Sequence, residues 1–175
     1  MKVLLRILFA FLICLSCIAC GKSNDLYLAL NAEDYELTRG EYDKHYDGIN
    51  SKIRVVLYFD STMCSTCLLK NSFMWSNLIN YVEKDSLLSS VVLILSPKPS
   101  EYRKVKVLLD EYMIDYPGYL DSTSALLKNN SFVTESFFCL LDSTSKIIWK
   151  STPIITNKNW KAFSKEYDNI SLQYK

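Results

Sequence analysis

The sequence predicts an α/β fold: a central mixed sheet with a C-terminal antiparallel hairpin and helices on both faces. Three observations carry this. Residues 53–59 and 91–95 are short apolar runs, broken only by Arg54, and such continuity marks central strands covered on both sides. Between them, residues 64–84 place apolar side chains at spacings of three and four, a helical pattern. Residues 137–141, the turn 142–145 and residues 146–150 read as a hairpin, followed by a last amphipathic helix.

In chain order, residues 22–50 are polar, tyrosine-rich and mixed in charge. They begin as a tether. Tyr27-Leu28-Ala29-Leu30 fits a short strand or a helix turn, and the acids, the tyrosines and His45 are expected at the surface. Strand 53–59 leads into the first helix, whose buried face is expected to hold Leu68, Trp75, Ile79 and Val82, with Leu78 beside them. The strand over 91–95 ends at Ser96-Pro97-Lys98-Pro99. Ser100 is the expected N-cap of a helix with Tyr102, Val105, Leu108, Leu109 and Tyr112 along one stripe. Tyr116-Pro117-Gly118 stops it. Tyr119-Leu120 reads as a short strand and residues 122–128 as a short helix capped by Asp121 or Ser122. Trp160, Phe163, Tyr167 and Ile170 mark the inner face of the final helix.

A chain of 175 residues, 49% hydrophobic and 22% charged, suits one folded domain with a sizeable core. With 4 Gly and 4 Pro it has no flexible or proline-rich linker. Loss of Lys2 and Arg6 with a leader takes the 20 basic residues to 18 against 19 acidic, a net of −1. No basic face is visible, so nucleic acid is not an expected partner. A single histidine excludes zinc sites built from several His, and a site of four thiolates needs more free thiols than remain. No metal and no cofactor is expected.

Residues 1–19 carry two positive charges before a short apolar run with small residues near its end, the layout of a secretory signal. Ile18-Ala19-Cys20-Gly21 resembles a lipoprotein signal, in which a small residue precedes a cysteine that becomes diacylated. Cys17 stands where such signals usually carry Leu. A plain transmembrane anchor and an ordinary cleaved signal are the alternatives. The lipoprotein reading divides the chain into a signal (1–19), a lipidated tether and N-terminal extension (20–50) and a folded domain (51–175). It places the protein in the cell envelope, lipid-anchored through Cys20 and facing the periplasm. Gly21 and Lys22 hold no inner-membrane retention signal, which favours the outer membrane. Of 6 cysteines, Cys64, Cys67 and Cys139 then remain, and in an oxidising compartment Cys64 and Cys67 are the natural pair. Cys139, inside Phe137-Phe138-Cys139-Leu140-Leu141, reads as a small buried hydrophobe.

Cys64-Ser65-Thr66-Cys67 lies in the turn between the first strand and the first helix. A thiol at a helix N-terminus is favoured as thiolate by unpaired N–H groups. Pairs of this spacing also bind zinc, but the strand–turn–helix context and the tail FFCLLDSTSKIIWK are more specific. Over about residues 53–167 the chain resembles the thioredoxin-like superfamily, above all the TlpA/ResA branch of anchored envelope proteins and the thioredoxin-like lipoproteins of Bacteroidetes. Asp142 and Lys146 match that family's hairpin motif.

The resemblance implies a thioredoxin-like fold and a thiol–disulfide oxidoreductase acting on protein disulfides. Cys64 would be the nucleophile and Cys67 the resolving thiol. Its partners would be protein thiols or disulfides, or a redox partner in the envelope. Three departures stand out. Met63 replaces the aromatic residue usual before the first Cys. Ser136, in Val133-Thr134-Glu135-Ser136, falls near the position of a groove-shaping cis-proline. No acid is firmly placed beneath Cys67, with Asp60 and Glu135 as candidates. Met63, Thr134, Glu135 and Ser136 are the expected groove. The alternative is a non-catalytic thioredoxin-fold lipoprotein, a binding module with a structural or vestigial disulfide. A peroxidase of the peroxiredoxin kind fits less well, since Leu57 stands where that family has proline.

Overall fold

The structure, a computed structural model, describes residues 25–37, 48–63, 73–85, 88–111 and 118–175. Cys20, His45, Cys64 and Cys67 lie outside the described residues.

Six strands form one sheet in the order β1-β4-β3-β2-β5-β6. They are β1 (Glu36–Leu37), β2 (Ile53–Phe59), β3 (Ser89–Leu95), β4 (Gly118–Leu120), β5 (Phe137–Leu141) and β6 (Ile147–Ser151). The helices are α1 (Phe73–Val82), α2 (Tyr102–Glu111), α3 (Ala125–Asn129) and α4 (Asn157–Ser171). β2 runs parallel to β3 and antiparallel to β5, so the sheet is mixed, and β5–β6 is the antiparallel hairpin. Among the described residues no helix is long and apolar enough to cross a membrane.

Every residue of β2, β3 and β5 is buried. Alternation sorts their side chains onto two faces. Val55, Leu57, Phe59, Val91, Leu93, Leu95, Phe138 and Leu140 pack against α1, α2 and α4. Val56, Tyr58, Val92, Ile94, Phe137, Cys139 and Leu141 pack against α3 and the N-terminal segment. Cys139 is fully buried and burial drives its thiol pKa far up, which makes it inert. In β6 a bulge shifts the register between Leu140 and Leu141. It turns Trp149 toward the first core and Ile147 toward the second.

The N-terminal segment is more than a tether. Tyr27 bridges Lys146 beside β6, Leu28 is fully buried, and Glu36–Leu37 pairs with β4 at the far edge. It therefore crosses the second face of the sheet from one edge to the other. Asn130 fastens it: its carbonyl accepts from the Ala29 N–H at 2.7 Å and its amide donates to the Ala29 carbonyl at 3.0 Å. Tyr35, expected at the surface, is buried and stands edge-on to Tyr119.

Three helix details differ from the sequence reading. In α1, Leu78 is fully buried with Trp75 and Val82, while Ile79 is only half-buried. Ser100 does not cap α2; it lies within a 3-10 turn, Pro99–Glu101, that proline opens after Lys98. α3 starts three residues later than expected. Asp121 caps it from outside, its two carboxylate oxygens accepting from the Ala125 and Leu126 N–H groups at 2.7 and 3.1 Å.

Candidate functional site

The candidate site lies at the C-terminal end of β2, where the strand hands over to the turn that leads into Cys64. Phe59 ends the strand facing the first core, and its carbonyl accepts from the Ser96 N–H at 2.8 Å. Trp75 of α1 stacks on the Phe59 ring at 5.2 Å. The strand end and the early part of α1 are thus fixed against each other on either side of residues 64–72.

Asp60 shapes the turn. Its carboxylate accepts from the Thr62 N–H at 2.9 Å and from the Thr62 hydroxyl at 2.6 Å, a local Asx turn. Its carbonyl accepts from the Met63 N–H at 3.3 Å. Only 8% of Asp60 is exposed. Burial pushes its pKa up, but the hydrogen bonds from Thr62, Ser136 and Met63 outweigh that and leave it below the ordinary carboxylate value. The Asp60 carboxylate, one of the two candidate acids, is engaged by both Thr62 donors, and Cys67, which it would serve, lies outside the described residues.

The loop before β5 closes on this turn. The Asp60 N–H donates to the Ser136 hydroxyl oxygen at 2.8 Å, and Ser136 is also 8% exposed. The position expected to face the thiols is therefore in contact with the turn, through a side chain and not a ring. Among the described residues every peptide bond is trans. Thr134 and Glu135 are exposed beside it, and Val133 anchors the loop in the second core. Met63 packs against the first core. Of the expected groove, Met63 and Ser136 meet at Asp60, while Thr134 and Glu135 lie on the outer side of the same loop. Sequence reasoning missed Thr62, whose D-x-T spacing is the signal that an Asx turn leaves.

A polar strip continues from this end of the sheet onto its second face. Burial raises the Tyr58 pKa to about 12, with Ser96 acting in the opposite sense and the carboxylates of Asp121 and Asp60 adding to the rise. Ser96 and Asp121 follow β3 and β4, and the Ser96 hydroxyl donates to the Asp121 carbonyl at 3.1 Å. The C-terminal ends of the three parallel strands thus each carry a polar residue, Asp60, Ser96 and Asp121, all buried.

No family model matches the chain, and no curated protein matches it. Solved structures do. A thioredoxin-like protein solved in its oxidised form is 17% identical, with a TM-score of 0.55, and the match covers 83% of this chain and 96% of that one. A thioredoxin-like protein from Porphyromonas gingivalis is 17% identical over 81% of this chain and 92% of its own, with a TM-score of 0.51. A thiol-disulfide oxidoreductase from Bacteroides fragilis is 12% identical over 78% and 98%, with a TM-score of 0.50. At these identities the likeness is one of architecture: the chain has a thioredoxin-like fold, α/β with a mixed six-stranded sheet.

Proposed function

We propose that this protein is an envelope thiol–disulfide oxidoreductase that acts on protein disulfides through Cys64 and Cys67. One observation carries the proposal. In a thioredoxin-like fold, the Cys-x-x-Cys sequence falls between the end of β2 and helix α1, next to a turn that touches the loop before β5.

The chemistry follows from the two thiols. The Cys64 thiolate attacks one sulfur of a substrate disulfide; that S–S bond breaks, and the departing sulfur leaves as a thiolate that takes up a proton. A mixed disulfide joins Cys64 to the substrate. The Cys67 thiolate then attacks the Cys64 sulfur, releases the second substrate thiolate and forms the Cys64–Cys67 disulfide. Two electrons pass to the substrate, and a dithiol partner in the envelope restores the pair. Met63, Thr134, Glu135 and Ser136 would line the groove that receives the substrate.

The same reading assigns residues 1–19 to a signal peptide, Cys20 to lipidation, residues 20–50 to a tether and an extension whose residues 25–37 pack on the sheet, and residues 51–175 to the thiol domain. The protein would face the periplasm from the outer membrane and belong with the TlpA/ResA-like anchored proteins. Its partners would be protein thiols and disulfides and the lipid surface, not nucleic acid.

Full-length protein with Cys67→Ser should accumulate mixed disulfides with envelope proteins, seen as reducible adducts on gels. Cys64→Ser should trap none and lose exchange. A full-length wild type that exchanges no disulfide at any redox poise ends the proposal. A second reading, a non-catalytic binding module of this fold, is favoured by Ser136 standing where the resemblance places proline. A Cys64–Cys67 potential below about −300 mV with an ordinary Cys64 pKa would select it.

A further inference from the structure

We propose that Ser136 and Asp60 form a side-chain latch that positions the Cys64 turn, making both positioning residues for thiol exchange. The inference rests on the reading of Cys64 and Cys67 as the exchanging pair. It adds how a loop without proline holds the turn before them.

Three contacts build the latch. The Ser136 hydroxyl oxygen accepts the Asp60 N–H at 2.8 Å, across 76 residues of sequence. The Asp60 carboxylate folds back on Thr62 through two hydrogen bonds of 2.9 and 2.6 Å. The Asp60 carbonyl takes the Met63 N–H at 3.3 Å. Each residue from Asp60 to Met63 that carries a polar tie therefore hangs on Asp60, and Asp60 hangs on Ser136. The two ends of the latch are rigid, because Phe59 is stacked on Trp75 and Phe137 follows Ser136 directly in the core.

Asp60 is the first residue beyond the support of the sheet. Phe59 is the final residue of β2, and the register with β5 stops one residue earlier, at Tyr58–Phe137. Beyond it, the Asp60 N–H has left the ladder, and a buried N–H needs an acceptor. Ser136, one residue beyond the paired end of β5, supplies it from a side chain. Alanine there leaves the donor unpaired, and the turn must move to reach water.

Residues 60–63 are the chain that enters Cys64, so the latch restrains the approach to the first of the two thiols, and a disulfide between residues 64 and 67 gains stability from that restraint. Loosening the turn makes the pair easier to reduce. In the equilibrium with glutathione, two GSH give GSSG while the Cys64–Cys67 disulfide becomes two thiols. Ser136→Ala in the full-length protein should shift that equilibrium toward the dithiol by about tenfold, equal to a potential about 30 mV higher. Ser136→Thr, which keeps the hydroxyl, should restore it to within about twofold of wild type. The pH profile of Cys64 alkylation by iodoacetamide, taken on both variants in reduced protein, reads the thiol without any protein substrate.

An unchanged potential and an unchanged alkylation profile in Ser136→Ala overturn the latch, as does a Thr variant that behaves like Ala. Absence of exchange with protein disulfides in the wild type overturns the oxidoreductase reading instead. The two failures are therefore distinguishable.

Discussion

Asp60 sits where a buried carboxylate would ordinarily resist ionisation, yet four hydrogen bonds reverse the sign of its shift. The consequence for stability follows from linkage. Its folded-state pKa is lower than the unfolded value of about 3.9, so the folded protein binds fewer protons near that pH. The contribution is complete above the unfolded pKa and is lost as pH falls through the folded one. Asp60→Asn should therefore be less stable than wild type at pH 7, and the gap should close below about pH 4 in paired urea titrations. Neutral behaviour of the variant at both pH values would contradict this account. At this scale the sequence was partly legible. Asp60 and Ser136 stood out from their places relative to the strands, but their bond spans 76 positions and no local pattern encodes it. Arg54 teaches the same. It interrupts an apolar run, and its guanidinium donates to the carbonyl of Ile49, five residues back, at 3.1 Å and to that of Asp142, 88 positions away, at 2.6 Å; the second tie has no local signal.

Elements were legible in proportion to their burial. β2 and β5 appear in the sequence with the boundaries seen in the fold, because double-sided burial demands uninterrupted apolar residues. β3 begins two residues early, at Ser89 and Ser90. These serines can be buried because their hydroxyls donate to the carbonyls of Val82 and Gly48 at 3.1 and 2.6 Å. β1 left no trace, since a two-residue edge strand has no period to detect. In α1 the choice between Leu78 and Ile79 turned on about 100° of helix rotation, and packing against the sheet decided it for Leu78. Leu78→Ala should cost about 2–5 kcal/mol, measured by denaturant unfolding. Ile79→Ala should cost clearly less.

At the scale of the whole molecule, the second face of the sheet is closed by the N-terminal segment and by one short helix. Leu28 and Tyr35 are buried from that segment, and Ile49 from the turn before β2. Asn130 is the fastening: besides its two bonds to Ala29, it donates to the Leu126 carbonyl at 2.8 Å. Asn130→Ala should loosen the segment, lower the midpoint of thermal unfolding and increase binding of an apolar dye, at a cost of about 2–4 kcal/mol for the groups it leaves unpaired. A variant with wild-type dye binding would show that the segment holds without it. The segment also fixes where the chain leaves the domain. Asp25 pairs with Lys146 at 2.9 Å, at the end of the sheet where Arg54 meets Asp142. Asp60 and Ser136 lie at the other end, about 20 Å along β2. Only five residue steps separate Cys20 from Asp25, a reach of about 18 Å at full stretch. With a lipid on Cys20, the domain would ride close to the bilayer like a buoy on a short mooring. On that proposed anchoring, the Asp60–Ser136 end of the sheet would look outward, toward proteins passing by and away from those lying flat on the membrane.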